Sequence, residues 1–414
     1  MSADIDVVIV GGGAAGIGAA RRLAKSGRSA LLLEASSRLG GRGWTHEVSG
    51  LPLDLGCGWL HSADRNAWRR IAEAADLALD RSEPAWGVQY CGLGFTPAEQ
   101  AAARRAFEGW RQRLATTPPA SDRASDALAA DDEWNNYLQA LSGFISGAVL
   151  ERLSVADYMA YDAASTDLNW RAPTGYGALI ASSFPGEVAI KLATPAQAIE
   201  TDAHDVTVTT AAGVIRARSA ILTVSTAVLA QDAIKLPAAL DAWREAAGRL
   251  PLGHNEKLFL EIADPGVFAP ETQVLGDPRD ARTGAYYIRP FGWPVIECYL
   301  GGEGARSVET SGPADGFAHA VDQLSALFGS DVRRKLHPLV ASGWSRMSRI
   351  GGAYSYALPG HAAARAALAR PFEQRLFFAG EATSPQDFST AHGAHDSGVR
   401  AAEEALAALD ARSA

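Results

Sequence analysis

A β-branched run that stops on a glycine turn constrains this chain more than any other feature. Ile5-Asp6-Val7-Val8-Ile9-Val10 leads into Gly11-Gly12-Gly13-Ala14-Ala15-Gly16, and an Ala- and Arg-rich helical stretch follows to Lys25. Strand, tight turn and helix in that order are the setting a dinucleotide fingerprint needs. Gly11 permits the turn, Gly13 lets backbone approach a pyrophosphate, and Gly16 lets the helix pack closely on the sheet. The helix opens at Ala14 and Ala15, where free N–H groups face a phosphate. A second strand, Ser29 to Leu33, delivers Glu34 eighteen residues after Gly16, placed to accept from an adenosine ribose hydroxyl, with Ala35 beside it. The competing reading, a plain Gly-rich loop, explains neither the strand before nor the acid after.

Two further stretches extend that expectation. Arg38 and Arg42 bracket Gly40-Gly41, and guanidinium forks on either side of a glycine pair suit a diphosphate, although a solvated surface loop accounts for them equally well taken alone. In Leu53-Asp54-Leu55-Gly56-Cys57-Gly58-Trp59-Leu60-His61 the glycines permit close backbone approach to a large flat ligand, with Trp59 alongside. Cys57 reads as buried filler, and His61 reads as a satisfied structural histidine before it reads as a base.

Composition removes several classes of function. The chain has 414 residues, 47% hydrophobic and 21% charged, with a net charge of −9, which gives no support to nucleic-acid binding. Cys57, Cys91 and Cys298 form no CxxC pair, so neither a zinc cluster nor a disulfide scaffold is expected and no metal is assigned. No stretch approaches the length of a membrane span, and the first strand begins too early for a signal peptide. The expected location is cytoplasmic. A homodimer is left open.

The length predicts more than one core. Residues 64 to 80 read as a helix, Thr96 to Leu128 as one or two helices broken at Thr116-Thr117-Pro118-Pro119, and Ser154 as the cap of a helix starting near Val155. Ala198 to Glu200, Val206 to Thr209, Val214 to Ala217 and Ala220 to Val224 read as successive short strands. Arg375 to Phe378 reads as a strand feeding Gly380-Glu381, and His392 to Leu409 as a glycine-punctuated helix. The expected fold class is α/β: a Rossmann-like dinucleotide-binding domain from residues 1–81, 186–250 and 371–414, joined to an α+β substrate-binding domain from residues 82–185 and 251–370.

Taken together, these stretches resemble the flavin-dependent amine oxidase family, which includes monoamine and polyamine oxidases. The match is carried by the Gly11 fingerprint with Glu34, Arg38-Leu39-Gly40-Gly41-Arg42, Leu53 to Trp59, and Phe378-Ala379-Gly380-Glu381-Ala382-Thr383-Ser384 running into His392-Gly393-Ala394-His395-Asp396-Ser397-Gly398. The resemblance implies FAD, with the residues above joined by Gly380, Glu381, Trp344, Thr390 and Ala391 around it. Ala353 matches a position where some monoamine oxidases carry a flavin-linked cysteine, so non-covalent FAD is implied.

From the residues alone, Lys257 is an edge or snorkelling lysine. The resemblance puts it near flavin N5 through a water, and puts Tyr354 on one wall of an aromatic cage whose other wall is Thr390 where monoamine oxidases have tyrosine. Trp59, Tyr354 and Thr390 are the implied substrate contacts. A small polar wall leaves room for a bulkier, secondary, cyclic or polar amine. The implied reaction is oxidation of a C–N bond of a small-molecule amine, with molecular oxygen or another acceptor taking the electrons. An FAD-dependent desaturase or isomerase of an apolar substrate, and a non-catalytic flavin-binding interaction protein, remain as alternatives.

Overall fold

A computed structural model describes residues 5–412. The opening segment forms β1 (Ile5–Val10), α1 (Ala14–Leu23) and β2 (Ala30–Leu33), and a hairpin of β3 (Thr45–Val48) and β4 (Leu51–Asp54) follows. The helix expected over 64–80 is shorter, α2 (Ala67–Ala74). Asn66 caps it by accepting from the Trp68 N–H at 2.9 Å, and Asp76 at φ 54° turns the chain away. Helices α3 (Pro97–Thr116), α4 (Asn135–Ser146), α5 (Val155–Ala164) and α6 (Tyr176–Ser182) come next. Thr96 and Glu99 form a capping box at the start of α3, and the Ser154 hydroxyl accepts from the Asp157 N–H to start α5.

The chain then returns as β5 (Ala189–Lys191), β6 (Ala196–Thr201), β7 (Val206–Thr210) and β8 (Gly213–Leu222), followed by α7 (Thr226–Ala230) and α8 (Asp241–Gly248). Strand β8 corrects the sequence reading, which divides it in two at the polar pair Arg218-Ser219. The pair interrupts nothing: Arg218 reaches Asp6, and buried Ser219 accepts from the Arg412 guanidinium at 2.8 Å. The remaining elements are β9 (Asn255–Ile262), β10 (Thr272–Leu275), β11 (Ala285–Ile288), β12 (Val295–Gly301), α9 (Glu303–Ser311), α10 (Pro313–Phe328), β13 (Leu336–Ala341), α11 (Ala364–Ala369), β14 (Leu376–Phe378) and α12 (Ala391–Ala411).

Two sheets organise these elements. The first has the order β5-β2-β1-β8-β7-β6 with β14 also on β8. Its β5, β2, β1, β8 and β14 strands run parallel, whereas β6, β7 and β8 pair antiparallel. Val7 and Ile9 bury against α1 and α12 on one face, while Val8 and Val10 bury on the other, as a sheet covered on both faces requires. The fold is thus an α/β Rossmann-like arrangement drawn from separated chain segments.

The second sheet, β10-β11-β12-β9-β13, is antiparallel throughout. Alternation divides its faces. Leu258, Leu260, Ile296, Cys298 and Leu300 form a core with residues of α9 and α10, and the alternate positions Asn255, Lys257, Glu297 and Tyr299 line a cavity. Among the described residues, no helix is long and apolar enough to cross a membrane, and no group of His, Cys, Asp and Glu is arranged to hold a metal.

Candidate active site

A cavity of about 1130 Å³ begins at the carboxyl ends of β1 and β2 and extends to the second sheet. A crevice at the carboxyl edge of a parallel sheet is where such folds take nucleotides. Gly11, Gly13, Ala14, Ala15, Glu34, Ala35, Gly41 and Arg42 line this end. Gly11 has φ 112°, outside the range comfortable for a side chain. Gly13 differs: an added methyl would come no closer than 3.8 Å to protein, so its bare surface serves the cavity and not the packing. Helix α1 has no side-chain cap, leaving its first N–H groups open to an anion.

Buried Glu34 accepts from the Gly12 N–H at 2.6 Å and the Ser36 N–H at 2.7 Å, one bond to each oxygen. Each oxygen keeps a lone pair that a ribose hydroxyl can use. An open helix terminus, a bare glycine and this held carboxylate fit the dinucleotide half of FAD. Two residues expected at the cofactor stand behind the cavity wall. Gly16 sits where a methyl would lie 1.9 Å from the Gly11 carbonyl oxygen, so its part is helix packing. The Arg38 guanidinium lies 4.4 Å from the Trp44 ring centroid, drawn there by the π face, and does not line the cavity.

Midway along the cavity lie Arg42, Gly56, Cys57, Gly58, Trp59, Trp344, Gly380, Glu381, Thr390 and Ala391. Arg42 donates to Glu381 at 2.8 Å and to the Ala353 carbonyl at 2.5 Å. Glu381 also accepts from the Ser355 hydroxyl and the Ser389 N–H. Burial opposes its charge, but Arg42, Arg365 and these donors hold its carboxyl below the ordinary range. Ser355 passes the network to Arg365, which grips Asp157 at 2.6 and 2.8 Å in the interior. The Trp344 backbone N–H is held by Glu256 at 2.8 Å and its indole by the Leu55 carbonyl at 3.2 Å. Burial, reinforced by Asp54, pushes the Cys57 thiol up to about 12, which makes it inert.

At the second sheet, Lys257 Nζ pairs with Glu297 Oε1 at 2.8 Å. Burial pulls the ammonium pKa down, but Glu297, with Asp54 behind it, outweighs it and holds the lysine above its ordinary value. Tyr354 stands in a closed hydrogen-bond network. The Asn255 amide donates to Tyr299 at 2.9 Å, the two phenols are 2.7 Å apart, and both reach the Phe144 carbonyl, Tyr354 at 2.6 Å and Tyr299 at 3.2 Å. Its proton is spent within this network, and burial raises its pKa well above the ordinary value. It offers a ring face and no acid. The Thr390 hydroxyl is also spent, accepting from the Gly393 N–H and donating to the Asp387 carbonyl.

His61 is bonded to Asn169 at 2.7 Å, and burial lowers its pKa to about 4, so it is neutral at physiological pH. Trp59 packs against Trp86 with ring centroids 4.5 Å apart. Several lining residues escape sequence reasoning. Phe107, Tyr137, Phe144 and Tyr161 come from α3, α4 and α5, where aromatic spacing looks the same for a core as for a pocket. Gln273, Tyr287, Glu297 and Tyr299 come from the second sheet. Their one legible signal is polar alternation in the run Val295-Ile296-Glu297-Cys298-Tyr299-Leu300.

A family model, flavin containing amine oxidoreductase, matches residues 14–90 and 81–406. The chain belongs to this family. Its general chemistry is FAD-dependent oxidation of amines. The chain is 28% identical to a polyamine oxidase of Oryza sativa subsp. japonica over an alignment that covers 96% of this chain and 88% of that one. It is 25% identical to a pseudooxynicotine dehydrogenase of a Pseudomonas species, covering 91% and 81% respectively. The fold is shared with wild-type putrescine oxidase bound to putrescine, at a TM-score of 0.76 and 18% identity, covering 97% of this chain and 99% of the other.

Proposed function

We propose that this chain oxidises a C–N bond of a primary, secondary or cyclic small-molecule amine, using non-covalently bound FAD and returning the electrons to oxygen. The observation that carries the reading is one continuous cavity with a dinucleotide cradle at one end and a buried Lys257–Glu297 pair beside the Tyr354 wall at the other. Bound FAD would supply the two-electron acceptor, taking hydride from the carbon next to nitrogen and yielding hydrogen peroxide on reaction with oxygen.

The chain's own residues prepare that exchange. Gly11, Gly13, Glu34 and the α1 terminus would hold the nucleotide, and Gly56, Gly58, Trp344, Gly380 and Ala391 would flank the ring system. The Tyr354 ring orients the amine nitrogen, which must shed its proton before its lone pair can assist C–H cleavage. Trp59 and Thr390 complete the substrate walls. Lys257 organises a water and contributes a fixed positive charge in a site screened from solvent. Ala353 supplies no thiol for a covalent flavin link. The proposed division assigns residues 1–81, 186–250 and 371–414 to cofactor binding and 82–185 and 251–370 to the substrate.

Anaerobic titration of the purified flavoprotein with primary, secondary, cyclic and amino-acid amines tests this. Bleaching of the visible flavin bands by an amine, with recovery and peroxide on readmitting air, is the expected result. Bleaching only by an apolar substrate that becomes an alkene would replace the proposal with a desaturase.

A further inference from the structure

The segment that leaves β13 runs on beside β9 to Lys257. The Ser342 N–H donates to the Lys257 carbonyl at 2.8 Å, and the Ser342 hydroxyl accepts from the Lys257 N–H at 2.8 Å. One serine thus holds the lysine's backbone from both sides. Two residues on, the Trp344 indole donates to the Leu55 carbonyl, and its ring lies 3.3 Å from where a methyl on Gly56 would stand. A methyl on Gly58 would lie 3.0 Å from Lys257 Nζ. Lys257, Trp344 and the glycine loop are therefore one packed wall of the cavity, and a shift in one is passed to the others.

Behind that wall sits a carboxylate. Alternation along β9 turns Glu256 away from the cavity, to the face that carries Leu258, and it is 1% exposed. One oxygen accepts from the Ser342 hydroxyl and the other from the Trp344 N–H at 2.8 Å. The two protonation states suit this arrangement differently. As a carboxylate, Glu256 takes the serine's proton and leaves the serine oxygen to the Lys257 N–H, and its bond from Trp344 is charge-assisted. As the acid it must donate to Ser342 itself, which turns the serine's own proton away from its acceptor and weakens the Trp344 bond. The surroundings keep both states within reach. Burial above all, with Glu309 on α9, pushes the carboxyl up to about 7, against the pull of Ser342, the Trp344 N–H and Arg346. Glu309 is itself bonded to His254 at 2.5 Å.

We infer that Glu256 is a positioning residue for the oxidation: through Ser342 and Trp344 it sets Lys257 and the glycine loop against the cavity. It does not line the cavity itself, so it acts only through the residues it holds. Gain or loss of its proton resets that wall, and the ionised form is the productive one. The role deepens the amine-oxidase reading and rests on it.

The test is a pH titration of the visible flavin spectrum of the substrate-free flavoprotein, beside the limiting rate of anaerobic flavin reduction by the best reductant among primary, secondary and cyclic amines. Wild type is compared with E256Q, which mimics the acid by accepting from Trp344 and donating to Ser342, and with S342A. Wild type is expected to show one spectral step near neutral pH, with the limiting rate rising about tenfold from about pH 6 to about pH 8. E256Q has no step and stays on the acid limb, about tenfold below wild type at the upper end. S342A keeps the step but moves it to higher pH, because a donor to the carboxylate is gone. The amine's own titration is common to all three proteins. E256Q that changes the melting temperature yet keeps the wild-type step and rate profile makes Glu256 purely structural and overturns the proposal, as does a step left unmoved by S342A. Failure of every amine to reduce the wild-type flavin overturns the amine-oxidase reading instead, while the spectral step still reports whether Glu256 sets the wall.

Discussion

Lys257 owes its charge to a residue forty positions along the chain. Glu297 is set beside it by the pairing of β12 with β9, and its carboxylate 2.8 Å away offsets the desolvation that would otherwise drive the ammonium toward neutrality. Replacing Glu297 by Gln leaves the desolvation and removes the largest compensating charge, with Asp54 remaining and His61 nearby neutral. The expected outcome for E297Q is a Lys257 pKa shifted downward. The pH profile of flavin reoxidation, followed by stopped-flow mixing with oxygen, should then lose its rate at lower pH than in wild type. An unmoved profile would detach Lys257 from that step. Glu297 is hidden in the sequence because only strand register brings it to the lysine, whereas Glu34 is legible because its partner glycines lie within one βαβ unit. Tyr354 is placed by its motif, but its committed proton is not readable, because Phe144 and Tyr299 come from distant segments.

At the scale of elements, the glycine turn separates packing from binding. G16A forces a methyl against the Gly11 carbonyl, whereas G13A meets no protein atom closer than 3.8 Å. G13A should therefore keep the apoprotein's unfolding midpoint and retain less FAD after gel filtration, while G16A lowers both. The buried ion pair between α11 and α5 makes a different prediction. Arg365 and Asp157 are each 2% exposed at the side chain, and R365M strands a carboxylate in the interior at a cost of about 3–5 kcal/mol. Urea unfolding should show that loss, and because Arg365 also holds Ser355 beside Tyr354, flavin spectra should shift as well. The helices themselves are readable from caps such as Thr96 and Ser154. Their cavity-facing aromatics are not, since Phe107 and Trp110 occupy the same helix and only the second is core.

For the whole molecule, Glu256 ties stability to pH. It accepts from Ser342 and from the Trp344 N–H, but burial dominates and raises its pKa to about 7 from the ordinary 4.5. A carboxyl whose pKa is higher folded than unfolded stabilises the fold fully below the unfolded value and loses that contribution as pH rises through the folded one. The melting temperature of wild type should thus fall relative to E256Q between about pH 4.5 and pH 7, as thermal scans across that window would record. The first sheet is legible in kind, since β-branched runs and glycine turns are local signals. The division of β8 into two strands is the principal misreading, because a strand that changes partners midway presents two different polarity patterns.

That change of partners governs how the protein can be made. Strand β8 bonds to β7 over its first half, to β1 along its second half, and to β14 at its end, so its neighbours come from residues 206–210, 5–10 and 376–378. On the ribosome, the last of these is synthesised more than 150 residues after β8 itself. Until then the apolar end Ala220-Ile221-Leu222 keeps an open edge, and Val7 and Ile9 lack the cover that α12 provides. An unpaired strand edge beside an uncovered core is a template for association with other chains. Slow translation of the codons for residues 372–411 would therefore lower the soluble yield more than the same delay over those for residues 5–44.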